Sequence, residues 1–195
     1  MINQYTSKTF YGTLKVFQIF CAIALMTSVS YGQTSPLAIE NVQEPFGNLE
    51  KTPQFGHVVY AFQPDKETVA MMKDQGINLV LNIRGENEDP GFDERKLVEE
   101  NGMSYIQIPY MKGREIDGDS IDKIKEVIDA TAANGTKMML HCGHSQRAGS
   151  ALGVILYRDY GYSREAANEM AKAAGMTSEF ITKVHNEYLD TLIQN

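Results

Sequence analysis

Cys142 and Arg147, with Gly143, His144, Ser145 and Gln146 between them, are the residues of this chain best equipped for chemistry. An ionised cysteine is a strong nucleophile near neutral pH, and an arginine offers a planar fork of donors that holds two oxygens of a phosphate. Met138, Met139 and Leu140 lead into His141 and Cys142, and the small residues Ala148, Gly149, Ser150 and Ala151 follow the arginine. That pattern predicts a strand, a short loop and a helix. Such a turn aims backbone N–H groups and the positive end of the helix dipole at one point. The point suits an anion, and the same field favours a thiolate. Cys142 is therefore the candidate nucleophile, Arg147 the candidate oxyanion clamp, and Gly143, His144, Ser145, Gln146 and Arg147 the candidate phosphate-binding loop. A buried, inert cysteine beside a helix-starting arginine is the plainer alternative.

The elements that must position this loop alternate along the chain. Residues 57–62, 77–83, 103–108 and 136–141 are apolar and strand-like. Between them come helix patterns: one capped by Asp65, one over residues 92–100 stopped by Asn101-Gly102, and one from Asp119 or Ser120 stopped by Asn134-Gly135. After the loop, Ala148, Leu152, Val154, Ile155 and Leu156 leave little polar face, so a buried central helix is expected, with Gly149 and Gly153 permitting close packing. Ser163 caps a further helix, and a last one runs from about Ser178 with Phe180, Ile181, Val184, Tyr188 and Leu189 as core. Alternation of this kind predicts an α/β fold, a three-layer α/β/α domain around a mainly parallel sheet. In such sheets ligands bind at the carboxyl ends of the strands.

Length and charge narrow the function classes. At 195 residues the chain supports one domain of ordinary size over residues 57–195, and residues 33–56, rich in proline and polar residues, read as a linker or irregular lead-in. Lys8 and Lys15 precede an apolar run at 16–29, and Ser30 and Gly32 fit the −3 and −1 positions of a cleavage site before Gln33. Residues 1–32 are thus expected to be a signal peptide, with the protein exported to a periplasmic or secreted location. A membrane anchor is the rival, but the run is short of the roughly 20 apolar residues a span requires. Cleavage would remove two lysines and no acids, taking the formal charge from −7 to −9. That balance argues against nucleic acid as a partner. Cys21 would leave with the leader, and Cys142 would be the single cysteine, with no internal disulfide available.

His141-Cys142 followed by four residues and Arg147 resembles the active-site loop of cysteine-dependent phosphatases, most of which place five residues there. The shorter loop resembles the bacterial beta-lactamase hydrolase-like phosphatase group, within the protein tyrosine and dual-specificity phosphatase superfamily. Gln63-Pro64, Gly76-Ile77, Asn82-Ile83-Arg84, Phe92-Asp93-Glu94, Gly102 and the stretch 105–109 follow in family-like order. The resemblance implies a dual-specificity-phosphatase-like fold. It also implies hydrolysis of a phosphate monoester, on a phosphorylated protein or a small phosphate ester, through a cysteinyl-phosphate. His141 would orient the loop, and neither metal nor cofactor would be needed.

Three departures matter. Ser145 stands where the family carries glycine, so a positive φ there would strain the backbone. Ala148 replaces the hydroxyl residue that assists departure of the thiolate, leaving Ser145 or Ser150 as substitutes. The stretch Tyr110-Met111-Lys112-Gly113 lacks the aspartate that serves relatives as general acid. Glu115 and Asp117 follow later, and Asp117 is the candidate in its place, with a solvated loop charge or a helix N-terminal charge as the alternatives. His144 faces either substrate or solvent, His57 and His185 have no metal-ligand spacing, and Arg84 holds either a phosphate or one of Glu86, Glu88 and Asp89. Two other functions stay open on these residues: a rhodanese-like sulfurtransferase, whose six-residue loop matches in length, and a phosphate-ester binding module with little turnover.

Overall fold

The computed structural model describes residues 44–193; the expected signal peptide and its cleavage site lie outside them. Seven strands and six helices follow in order: β1 (Gln54–Phe55), β2 (Val58–Ala61), α1 (Lys66–Met72), β3 (Leu79–Asn82), α2 (Glu94–Glu100), β4 (Ser104–Gln107), β5 (Met111–Lys112), β6 (Glu115–Ile116), α3 (Gly118–Ala133), β7 (Met138–His141), α4 (Gln146–Asp159), α5 (Arg164–Ala173) and α6 (Glu179–Ile193). The main sheet has the order β1-β2-β7-β3-β4. The four expected strands are present and mutually parallel, with β7 central between β2 and β3.

Each strand sends alternate side chains to opposite layers. Val58, Tyr60, Leu81, Met138 and Leu140 meet α3, α4 and α6 through residues such as Ile121, Leu152 and Leu189. Val59, Val80 and Met139 meet α1 and α2 through Val69, Met72 and Val98. The result is the expected three-layer α/β/α domain. Full burial of each such aliphatic side chain contributes roughly 1.5–3 kcal/mol.

Register then decides where chemistry is possible. Ala61 and Asn82 both lie opposite His141, so the residues after β2 and β3 flank Cys142. Cys142 N–H donates to the Ala61 carbonyl at 3.4 Å, and Ile83 N–H to His141 at 3.0 Å. All the candidate loops thus leave the same edge of the sheet.

Helix α4 is the buried central one, with every residue from Ala148 to Leu156 buried. Its glycines are steric necessities. A Cβ on Gly149 would sit 2.4 Å from the Ala171 carbonyl oxygen, and one on Gly153 would sit 2.8 Å from Ala171 Cβ and from His185 Cε1. The caps also follow expectation: Asp65 accepts from Thr68 N–H at 2.8 Å, and Ser163 from Ala166 N–H at 3.2 Å.

Two features depart from the sequence reading. Part of the 33–56 segment packs into the domain: Phe46 and Leu49 are buried against the α1–α2 layer, and β1 pairs antiparallel with β2 at the sheet edge. The stretch after the third parallel strand, for which the sequence pattern predicts no element, folds into the β5–β6 hairpin, with Lys112 opposite Glu115. Gly113, at φ 65°, supplies the left-handed backbone that its two-residue turn requires.

Candidate active site

Cys142 ends β7 and is almost fully buried, at 1% exposure. The chain then crosses Gly143 and His144 and enters α4 through Ser145, whose φ is 61°. Ser145 is the one non-glycine among the described residues with a left-handed backbone, so the strain expected at this position is present. Its side chain is accommodated because residue 175 is a glycine: a Cβ there would lie 2.5 Å from Ser145 Cβ. The helical ladder opens with Gly149 N–H to the Ser145 carbonyl at 2.9 Å. The N–H groups of Gln146, Arg147 and Ala148 precede that first bond and form the donor end of the helix.

Arg147 is held from outside the loop. Its Nη2 donates to Glu88 Oε2 at 2.7 Å and its Nη1 to Glu88 Oε1, an end-on bidentate pair. Hydrogen bonding to Arg147 pulls the Glu88 carboxyl down to about 2, and Glu88 in turn raises the pKa of Arg147. Cys142 also helps to raise the Arg147 pKa, and both residues line one cavity. Glu88 also accepts from Gly85 N–H at 2.7 Å.

Arg84 takes the structural alternative. It is 4% exposed, donates to Gln63 Oε1 and to the Glu88 carbonyl at 2.5 Å, and places Nε 3.5 Å from Glu88 Oε2. Both arginines thus converge on Glu88, and of the two only Arg147 also lines the cavity that holds Cys142.

Behind the loop, on the α1–α2 side, His141 is fully buried with Nε2 3.3 Å from Glu94 Oε1. Burial pushes its pKa down, against the opposing pull of Glu94. The Glu94 carboxyl also accepts from Gln63 at 2.6 Å, Asn82 at 3.0 Å and Tyr105 at 3.1 Å. His141 is therefore placed by burial and by Glu94.

On the opposite side a neutral chain supports α4. The Tyr110 hydroxyl and Ser150 Oγ lie 2.7 Å apart, Ser150 Oγ lies 2.9 Å from His185 Nδ1, and His185 Nε2 lies 2.9 Å from Asn168 Oδ1. The Ser150 hydroxyl is thereby committed to this chain. His57 bonds Thr131 at 2.8 Å on the sheet's far end.

The cavity over Cys142 measures about 290 Å³ and is lined by Met111, Cys142, His144, Gln146, Arg147, Phe180 and Ile181. A larger one of about 410 Å³ at the same sheet edge is lined by Glu86, Glu88, Asp89, Asp93 and Glu94 among others. Its acidic walls repel phosphate, so the smaller cavity is the chemical one. Arg114 stacks at 4.6 Å over the Phe180 ring at its rim.

Gln146 contributes differently from the sequence reading. Its side-chain oxygen accepts from Thr177 and Ser178 N–H at 2.7 and 2.6 Å and its side-chain nitrogen donates to Thr177 Oγ1 at 2.9 Å, which fixes the entry to α6. Asp117 is not among the cavity's lining residues. It is the N-cap residue of α3, where it accepts from Ser120 Oγ at 2.8 Å, as the helix-terminal alternative anticipated.

Sequence reasoning paired Glu88 only with Arg84 and read Phe180 and Ile181 as core. The acidic run after Arg84 was the available signal for Glu88.

No protein-family model matches the chain, and no curated protein matches it significantly. Solved structures do. TpbA of P. aeruginosa superposes with a TM-score of 0.61 at 16% identity, over 81% of this chain and 95% of that one. Kinase associated phosphatase, solved with its catalytic-site cysteine changed to serine, gives 0.59 at 15% identity, over 83% and 99%. Tk-PTP in its active form gives 0.59 at 16%, over 72% and 94%. At these identities the likeness establishes the fold, that of the tyrosine and dual-specificity phosphatases.

Proposed function

We propose that the protein is a cysteine-dependent phosphatase acting on phosphate monoesters through a cysteinyl-phosphate. The observation that carries this is the arrangement of Arg147. Glu88 holds the Nη1–Nη2 edge of its guanidinium, and Arg147 shares the cavity at the donor end of α4 with Cys142. A guanidinium has a second edge, formed by Nε–H and one Nη–H, which two phosphate oxygens can take while the first stays bound.

In the first step the Cys142 sulfur attacks phosphorus as the bond to the ester oxygen breaks. Arg147 and the amides of residues 143–148 hold the three equatorial oxygens, a preorganised donor set that strengthens as negative charge spreads over them. In the second step water attacks phosphorus, the S–P bond breaks, and inorganic phosphate and the thiolate are released. With Ala148 lacking a hydroxyl and Ser150 committed to Tyr110 and His185, the departing thiolate is stabilised by Arg147 and the amides, with Ser145 the one loop hydroxyl left to assist.

The substrate class favoured is an aryl phosphate such as phosphotyrosine, because Met111, Phe180 and Ile181 form an apolar wall beside the sulfur. A cysteine-to-serine form of TpbA has been solved in complex with phosphotyrosine, which supports the same choice. Export follows as part of the proposal from the apolar run at 16–29 and the small residues after it. The test is release of phosphate from phosphotyrosine peptide by wild type and by Cys142→Ala, with turnover expected from the first and none from the second.

A further inference from the structure

We propose that His144 is the proton donor to the leaving group, in place of the aspartate that the resemblance leads one to expect; this rests on the phosphatase reading above. Several observations lead there. The cavity over Cys142 contains no carboxylate among its lining residues. Asp117 lies outside it at the start of α3, accepting from Ser120 Oγ, and Glu115 lines a different groove, with Val184 and Tyr188. Glu88 comes near but is bound to Arg147 and held at about 2, so it carries no proton at neutral pH. The hairpin that occupies the expected acid's place presents Lys112 and Arg114 instead, both exposed.

His144 lines the cavity beside Cys142 and is exposed at its mouth. Its backbone is pinned by a bridge to Phe62 and by Gln63 N–H donating to the Gly143 carbonyl at 3.3 Å. Every other histidine has a structural partner: His57 with Thr131, His141 beside Glu94, and His185 between Ser150 and Asn168. The His144 ring has none among the described residues. Imidazole is also the side-chain group most often used as a general acid and base in catalysis.

As the S–P bond forms and the P–O ester bond breaks, the imidazolium proton passes to the departing oxygen, giving a neutral alcohol or phenol and a neutral imidazole. The imidazole then accepts a proton from the attacking water as the O–P bond forms and the S–P bond breaks. Phosphate, thiolate and imidazolium are regenerated.

A leaving-group series tests this, using p-nitrophenyl phosphate, phenyl phosphate and an alkyl phosphate with wild type, His144→Asn and Asp117→Asn. A good leaving group needs little protonation, whereas a poor one depends on it. His144→Asn is expected to raise the ratio of the p-nitrophenyl rate to the alkyl rate by roughly 10²-fold or more, the usual scale of general acid catalysis. Asp117→Asn is expected to leave that ratio where wild type has it, and added imidazole should restore part of the alkyl rate to His144→Ala. Equal slowing on all three esters, no slowing at all, or a raised ratio in Asp117→Asn would each overturn the assignment while leaving the phosphatase reading intact. Absence of phosphate release by wild type on every ester would overturn both.

Discussion

His141 and Cys142 are neighbours in the chain, yet they point to opposite faces of the sheet and into different surroundings. The His141 side ends in charge and polar hydrogen bonds, where Glu94 gathers Gln63, Asn82 and Tyr105 and Glu88 gathers both arginines. The Cys142 side ends in an apolar wall of Met111, Phe180 and Ile181, above the neutral chain Tyr110–Ser150–His185–Asn168. The difference assigns separate tasks to the two faces. Charge holds a guanidinium in place from behind, and the apolar side offers room for whatever the phosphate is attached to. Burying ionic groups on the second face would cost desolvation without a fixed partner to offset it.

The most damaging change to the charged side is Arg147→Lys. An ammonium cannot keep Glu88 on one edge and a phosphate on another, so kcat on an aryl phosphate is expected to fall about 10²–10³-fold, or roughly 3–4 kcal/mol. Glu88→Gln is expected to be milder, lowering kcat roughly tenfold because one charged hydrogen-bond partner is replaced by a neutral one. Steady-state kinetics of the two variants side by side would rank them, and the reverse order would mean that Glu88 does more than hold the guanidinium.

On the apolar side the expected losses are in stability. Gly149→Ala would drive a methyl to 2.4 Å from the Ala171 carbonyl oxygen and 2.7 Å from Met176 N. Pushing α5 off α4 should cost roughly 1–3 kcal/mol in urea unfolding. An unchanged midpoint would show that the two helices are less tightly apposed.

Acid titration separates the two sides by their pH windows. Burial depresses His185 from 6.5 to about 4, so the unfolded chain takes its proton first. The corresponding stability is complete above about pH 6.5 and is lost as pH falls toward and through 4. Glu88 is depressed from 4.5 to about 2 by Arg147. Its contribution is present above about pH 4.5 and lost as pH falls toward and through 2. Thermal midpoints against pH should therefore flatten in the upper window in His185→Gln and in the lower window in Glu88→Gln. The smallest effect belongs to the loop itself: Ser145→Gly should relieve the left-handed serine and stabilise by about 0.5–1 kcal/mol.

What the sequence made legible was local. Runs of apolar residues located the four parallel strands, and Asp65, Ser163 and Asn134-Gly135 marked helix ends because capping chemistry acts within a few residues. The pattern from Met138 to Ala151 contained the strand, the loop and the buried helix together, and it even exposed the strain at Ser145. Contacts between distant segments were not legible. Arg147 and Glu88 are 59 residues apart, and nothing around either one names the other. Phe180 and Ile181 read as ordinary core because only the tertiary fold brings the start of α6 over Cys142. The β5–β6 hairpin has two residues in each strand, too few to produce a periodic signal, and Asp117 looked catalytic only by its position after the third strand.

The central claim, that Cys142 forms a covalent phosphoryl intermediate while Arg147 holds the oxygens, is tested most directly by trapping. Wild-type protein would be mixed rapidly with an aryl phosphate, quenched, and analysed by intact-mass and peptide mass spectrometry, with thiosulfate run in parallel. The expected result is a phosphate adduct on the peptide containing Cys142, present with the aryl phosphate and absent in Cys142→Ser. A persulfide on Cys142 from thiosulfate, with neither adduct nor phosphate release from the ester, would contradict the phosphatase account and point to sulfur transfer.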